Sequence, residues 1–162
     1  IDGARGDLVA MLPEAWQFTT DPHDEGIIFR WFKPEHDSGN WRSINVTCVW
    51  EPQGLEDDMG HGYDGMGWYR TEADVPADFA GRAIKLNFGG VFGRMLIWVN
   101  GHFVAYQPFE RPYYAQRYCQ NFDIDVTEAA TPGTKNTIII RVDNEIEWGG
   151  IYRRVFLWSP VR

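Results

Sequence analysis

Cysteine, serine and histidine are all scarce in this 162-residue chain, and cationic side chains are outnumbered. Cys48 and Cys119 are the two cysteines; they permit one disulfide without demanding it, so the fold has to rest on its core. Serine occurs at Ser38, Ser43 and Ser159, none of them within Gly-x-Ser-x-Gly, so a nucleophile elbow is absent. His23, His36, His61 and His102 lack metal-ligand spacing. Fifteen basic residues against 23 acidic ones leave a net charge of −8. That sign opposes phosphate backbones and anionic bilayers, which excludes nucleic-acid and membrane-surface partners. No hydrophobic run approaches the ~20 residues of a membrane-spanning helix, and no signal-peptide pattern is visible. The abrupt start at Ile1 and the stop at Arg162 fit a mature or excised fragment. No segment sustains a 3.6-residue period, so long helices are not expected.

What the chain has instead is aromatic side chains and alternation. Eight Trp, seven Tyr and ten Phe make up 15% of it. Some must be core, but flat rings also suit the apolar C–H face of a pyranose. Apolar residues alternate at Ile44, Val46, Cys48 and Trp50, at Tyr69, Thr71, Ala73 and Val75, at Ile84, Leu86 and Phe88, and at Ile138, Ile140 and Val142. Residues 94–99 form a richer run that ends at Asn100-Gly101, a strong hairpin signal. Further strands are expected at 16–20, 27–32, 102–106, 122–126 and 152–158. About ten short strands separated by Pro, Gly and Asp turns predict a single all-β domain over 1–162, a sandwich or barrel. Residues 54–67 form a long insertion with five Gly and three Asp. A loop of that length in a compact domain is often functional.

Most motifs dissolve on inspection. Gly60-His61-Gly62-Tyr63-Asp64-Gly65 fits the dinucleotide fingerprint, but a strand follows it where a helix is needed. No cofactor is implied. Asp57, Asp58 and Asp64 offer oxygen to Ca²⁺, but their spacing is not an EF-hand and solvated loop carboxylates are the preferred reading. Asn45-Val46-Thr47 is a glycosylation sequon placed in an expected strand, so no glycan is expected.

From Trp41 onward the sequence resembles the N-terminal sugar-binding domain of family 2 glycoside hydrolases. The resemblance rests on Trp41-Arg42-Ser43-Ile44-Asn45-Val46, Trp50-Glu51-Pro52-Gln53-Gly54 and Tyr63-Asp64-Gly65-Met66-Gly67-Trp68-Tyr69-Arg70. It continues through Phe88-Gly89-Gly90-Val91, Trp98-Val99-Asn100-Gly101, Phe122-Asp123-Ile124, Arg141-Val142-Asp143-Asn144 and Gly149-Gly150-Ile151-Tyr152-Arg153-Arg154-Val155. The order and spacing hold over about three quarters of the chain. The resemblance implies a galactose-binding-like jelly roll of two antiparallel sheets. It also implies a secreted or periplasmic parent enzyme and a catalytic barrel beyond this chain, so the chain itself is not expected to be an enzyme. Arg70 and Arg153 are expected to bond carbonyls or acids internally, and Asp123 and Asn136 to form turns. The family places the segment before Gly149-Gly150 over the active site of the barrel, which makes Glu145 and Glu147 candidates.

Three loop segments combine aromatic and polar groups: Trp50-Glu51-Pro52-Gln53, residues 107–118, and Glu145-Ile146-Glu147-Trp148. The expected carbohydrate-binding residues are Trp50, Arg111, Tyr113, Glu147 and Trp148, with rings stacking and charges bonding hydroxyls. The rival reading, slightly favoured, is that Trp50 and Trp148 simply close the end of the core. The leading expectation is therefore a carbohydrate-binding module for a polysaccharide or oligosaccharide. Its rivals are a structural domain that packs on a catalytic domain and shapes its cleft, and a complete small enzyme.

Overall fold

The computed structural model describes residues 5–109, 120–145 and 147–161. Twelve strands are present among them, with two short 3-10 turns (Glu51–Gln53 and Ala77–Phe79). The strands are β1 (Gly6–Met11), β2 (Ala15–Asp21), β3 (Arg42–Asn45), β4 (Gly65–Val75), β5 (Lys85–Phe88) and β6 (Val91–Phe92). They continue as β7 (Arg94–Val99), β8 (His102–Gln107), β9 (Phe122–Asp125), β10 (Thr134–Asn144), β11 (Gly150–Ile151) and β12 (Val155–Pro160). One sheet has the order β1-β12-β5-β9, a second β3-β2-β4-β10-β7-β8, and β11 pairs with β6. The pairings are antiparallel throughout.

Alternation explains the layering. Phe18, Tyr69, Ile97, Ile138, Ile140 and Val142 point inward from the six-stranded sheet. Val9, Leu86, Phe88, Val155 and Leu157 meet them from the four-stranded sheet, and all lie in one buried cluster. This is the expected antiparallel sandwich. The β7–β8 hairpin turns at Asn100-Gly101 with φ of 52° and 78°, the conformation that dipeptide favours.

A second aromatic layer lies on the outer face of the six-stranded sheet. Trp68, Trp98 and Ile139 are buried there beneath Trp31, Phe32 and Trp41. The cover is a strap, residues 22–41, and it overturns one expectation: residues 27–32 are not a strand but successive turns. Phe29 N donates to Glu25 O at 3.0 Å and Trp31 N to Gly26 O at 2.9 Å, which satisfies the backbone locally. Arg70 fixes the far end by donating to the carbonyls of Pro34 (2.6 Å), His36 (3.3 Å) and Lys33 (3.4 Å), as expected of its planar fork.

Smaller differences have equally local causes. The strand expected over residues 44–50 ends at Asn45, because the Gln53 side chain captures the carbonyls of Asn45, Cys48 and Val49. The strand expected over 152–158 begins only at Val155, as β12, and the separate short β11 precedes it at Gly150–Ile151. Asp123 lies within β9, where its carboxylate accepts from Asn87 Nδ2 and Trp158 Nε1, so it is not a turn former. Cys48 is half-buried and free, and Cys119 lies outside the described residues.

Candidate functional site

One end of the sandwich gathers two of the three loop segments. Its pillar is Tyr69, fully buried on β4. The Tyr69 hydroxyl accepts from Trp50 Nε1 at 2.6 Å and from Ile151 N at 3.0 Å. Burial pushes its ionisation far up, so it remains a neutral phenol. Trp50 N in turn donates to Gly149 O at 3.0 Å. The Trp50 ring packs at 5.6 Å from Phe18 and 5.8 Å from Tyr63. Gly149 and Gly150 lie flat against it: a Cβ would stand 2.4 Å from Trp50 Cε3 at Gly149, and 2.2 Å from Trp50 Nε1 at Gly150. Trp50 is 0% exposed. It closes the core and has no free face on which a sugar could stack, so it leaves the set of stacking residues.

Trp148 is the opposite case, with 52% of its surface exposed. The bend that presents it is held by Asn144, a buried amide that donates to Glu147 O at 3.1 Å and to Asp64 Oδ1 at 3.5 Å. Glu147 is exposed and takes φ of 67°, a left-handed conformation that an unbranched side chain reaches only at some cost. Beside this bend is a cleft of about 170 Å³ lined by Gly93, Arg94, Phe109, Asp143, Asn144 and Glu145. Arg94 donates to Asp143 Oδ2 at 2.8 Å and also pairs with Glu145. Phe109 brings the start of the third loop segment to the same end. Arg111 and Tyr113 lie outside the described residues. Arg94 and Asp143 were not singled out from the sequence, because only the register that sets Asp143 opposite Arg94 brings them together.

Glu51 sits behind this end with neither carboxylate oxygen hydrogen-bonded. Burial holds its carboxyl above the ordinary range; nearby N–H groups of Glu51 and Gly149 offset part of this, and the Asp64 carboxylate adds to it. The folded chain therefore keeps this proton to higher pH than the unfolded chain does. The stability contributed is whole below the ordinary carboxylate pKa and is lost as pH rises through the raised value. Glu51→Gln, which cannot ionise, is expected to melt with wild type near pH 4 and above it near pH 7, a window set by the ordinary carboxylate pKa of about 4.3. Parallel melting curves across that window would show the carboxyl to be solvated instead.

Asp57 explains itself without a metal. Its Oδ1 accepts from Met59 N and His61 N, each at 2.8 Å, which builds the loop turn. Among the described residues no group of three or more acidic, His or Cys side chains is placed to hold an ion.

Comparison with known proteins bears on the fold. No protein-family profile matches the chain. A putative β-glucuronidase of Formosa agariphila is 29% identical over 141 residues, covering 80% of this chain and 12% of that protein. A β-glucuronidase of Paenibacillus borealis is 26% identical over 82% of the chain, and the β-galactosidase BoGH2A of Bacteroides ovatus 27% over 77%. The chain resembles a β-sandwich domain of family 2 glycoside hydrolases. It spans a fifth or less of the length of these family 2 relatives. A solved β-glucuronidase of Ruminococcus gnavus, in complex with D-glucuronic acid, superposes over 99% of the chain and 30% of its own length, with a TM-score of 0.80 and 19% identity. That match shows a shared fold.

Proposed function

We propose that this chain is a non-catalytic accessory domain of a larger family 2 glycoside hydrolase, and that its loop end faces saccharide. One observation carries the reading: the exposed Trp148 ring follows Glu147 in the bend whose start, Asn144 and Glu145, lines a cleft with Arg94 and Asp143. An exposed ring next to convergent donors and acceptors is what a sugar needs, one face to stack on and a rim of partners for hydroxyls. The buried Asn144 amide fixes the bend, so the ring is presented without a large ordering cost on binding. Glu147 and Trp148 therefore remain in the site, and Arg111 and Tyr113 remain proposals on the segment that follows Phe109. The partners in this reading are an oligosaccharide or polysaccharide and the catalytic domain of the parent enzyme. It also implies a secreted or periplasmic enzyme, since polysaccharide is met there. No helix of the described residues is long and apolar enough to cross a membrane.

A second reading has its own support. Arg94 is already engaged by two carboxylates, so the cleft could serve only to shape a neighbouring active site. Affinity electrophoresis against plant and algal polysaccharides separates the two. The saccharide-facing reading expects retardation, and expects Trp148→Ala to cost about 1–3 kcal/mol of binding, the range of an aromatic hot spot. Its melting temperature should stay put, as surface substitutions shift stability by only about 0.5 kcal/mol. Retardation by none of the gels favours the purely structural domain.

A further inference from the structure

The outer face of the six-stranded sheet holds a second cleft, which the strap edges at Asp24, the partner of Arg141. Register builds it. Tyr106 on β8, Leu96 on β7 and Arg141 on β10 are opposed across neighbouring strands, so they form one row on one face. Arg94 and Asp143 form the adjoining row. These residues and Met95 line a cleft of about 240 Å³. In the other direction the next row is Ile139, Trp98 and Phe103, with the exposed Phe103 ring edge-on to Trp98 at 5.8 Å. Strand spacing sets the scale: two steps of about 4.8 Å across the row and two residues of about 3.4 Å along the strand give a platform roughly 10 by 7 Å. That suits one or two pyranose rings.

We propose that this platform is a second saccharide site, one that takes a neutral, uncharged sugar. It extends the saccharide-facing reading of the loop end and depends on it only for the ligand class. Tyr106 supplies the stacking face, since 53% of its surface is exposed. Scattered exposed aromatics are common and mean little alone. Tyr106 differs in standing beside the apolar Leu96 in one row, with polar groups lining the same cleft. Arg141 and Asp143 edge the cleft and offer a donor and an acceptor for hydroxyls. Charge selects against acids. Two guanidinia, Arg94 and Arg141, face three carboxylates: Asp143 and Glu145 on Arg94, and Asp24 on Arg141. Among the described residues these cations are matched and one negative charge is left over, so a uronate carboxylate would meet net repulsion from them. Hydroxyls carry no such penalty. Because Arg94 and Asp143 also line the loop-end cleft, the two sites adjoin.

The test is affinity electrophoresis of the 162-residue chain in gels containing galactan, xyloglucan, mannan or arabinoxylan, against a polygalacturonate gel. The expected result is retardation in at least one neutral gel and none in polygalacturonate. Tyr106→Ala should weaken that retention about tenfold, the effect of losing a stacking ring, with melting unchanged. Tyr106→Thr, which keeps strand propensity on this edge strand, should do the same and guards against a folding defect. Retention in none of the neutral gels overturns the proposal. So does equal Tyr106-dependent retention in polygalacturonate, which removes the charge argument. Retention that Trp148→Ala abolishes and both Tyr106 variants leave intact overturns this site and leaves the loop end standing. The converse pattern keeps this site and removes the loop end.

Discussion

Trp50→Ala is expected to lower unfolding stability by about 4 kcal/mol, the range for truncating a fully buried large aromatic. Three losses combine. The ring leaves a void between Phe18 and Tyr63, against which it packs at 5.6 and 5.8 Å. The buried Tyr69 hydroxyl loses the donor that approaches it at 2.6 Å. The flat backbone at Gly149 and Gly150 loses the surface that shapes it. For a chain of this size the melting temperature should fall by roughly 10 °C. Trp50→Phe keeps most of the volume and removes only the N–H, so its loss should be nearer 1–2 kcal/mol, the cost of an unmet buried partner. Urea titration followed by circular dichroism gives both values. A Trp50→Ala loss below about 1 kcal/mol would show the ring to be peripheral, since surface changes stay in that range. Binding would then need to be measured again at Trp50 itself.

The contrast between Trp50 and Trp148 marks how far the sequence reached. Both follow strand-like alternation, and both sit in segments rich in polar and glycine residues. Local chemistry was legible: the hairpin at Asn100-Gly101, the alternation of Ile138, Ile140 and Val142, and the carbonyl-binding role of Arg70 all follow from residue type and spacing. The fate of each Trp was not, because it is decided elsewhere. Trp50 is buried by a hydroxyl 19 residues away and by two glycines near the chain's other end. Trp148 is exposed because Asn144 holds the Glu147 carbonyl. Residues 27–32 failed for a different reason. Ile27, Ile28, Phe29, Trp31 and Phe32 give an apolar run with almost no alternation, and such a run fits a buried strand as well as a strap whose rings cover a sheet. The deciding group was Asp21, at the end of β2, which captures the backbone as it leaves the sheet.

Asp21→Ala should therefore loosen the strap, and it is the second large effect expected. Asp21 is buried, and its carboxylate accepts three N–H groups: Glu25 N at 2.8 Å, Gly26 N at 2.9 Å and the Trp68 indole at 2.8 Å. A hydrogen bond to a charged acceptor contributes roughly 1.5–3 kcal/mol, and the three share one group, so about 3–4 kcal/mol is expected rather than their full sum. The loss should be local before it is global. Trp68 stacks on Trp98 at 5.4 Å and meets Trp31 at 5.8 Å, so freeing its indole disturbs the outer aromatic layer. The inner core of Tyr69, Ile138 and Ile140 does not touch Asp21 through any of these three bonds. Amide exchange should accordingly accelerate at Glu25, Gly26, Phe29 and Trp31 while β4 and β10 stay protected, and tryptophan emission should change below the main unfolding transition. Asp21→Asn, which keeps one acceptor oxygen but turns an NH₂ toward a donor, should fall between the two. Uniform loss of protection across strap and sheet would overturn this view: it would mean that the strap and the sandwich fold as one unit, with Asp21 a core residue of both.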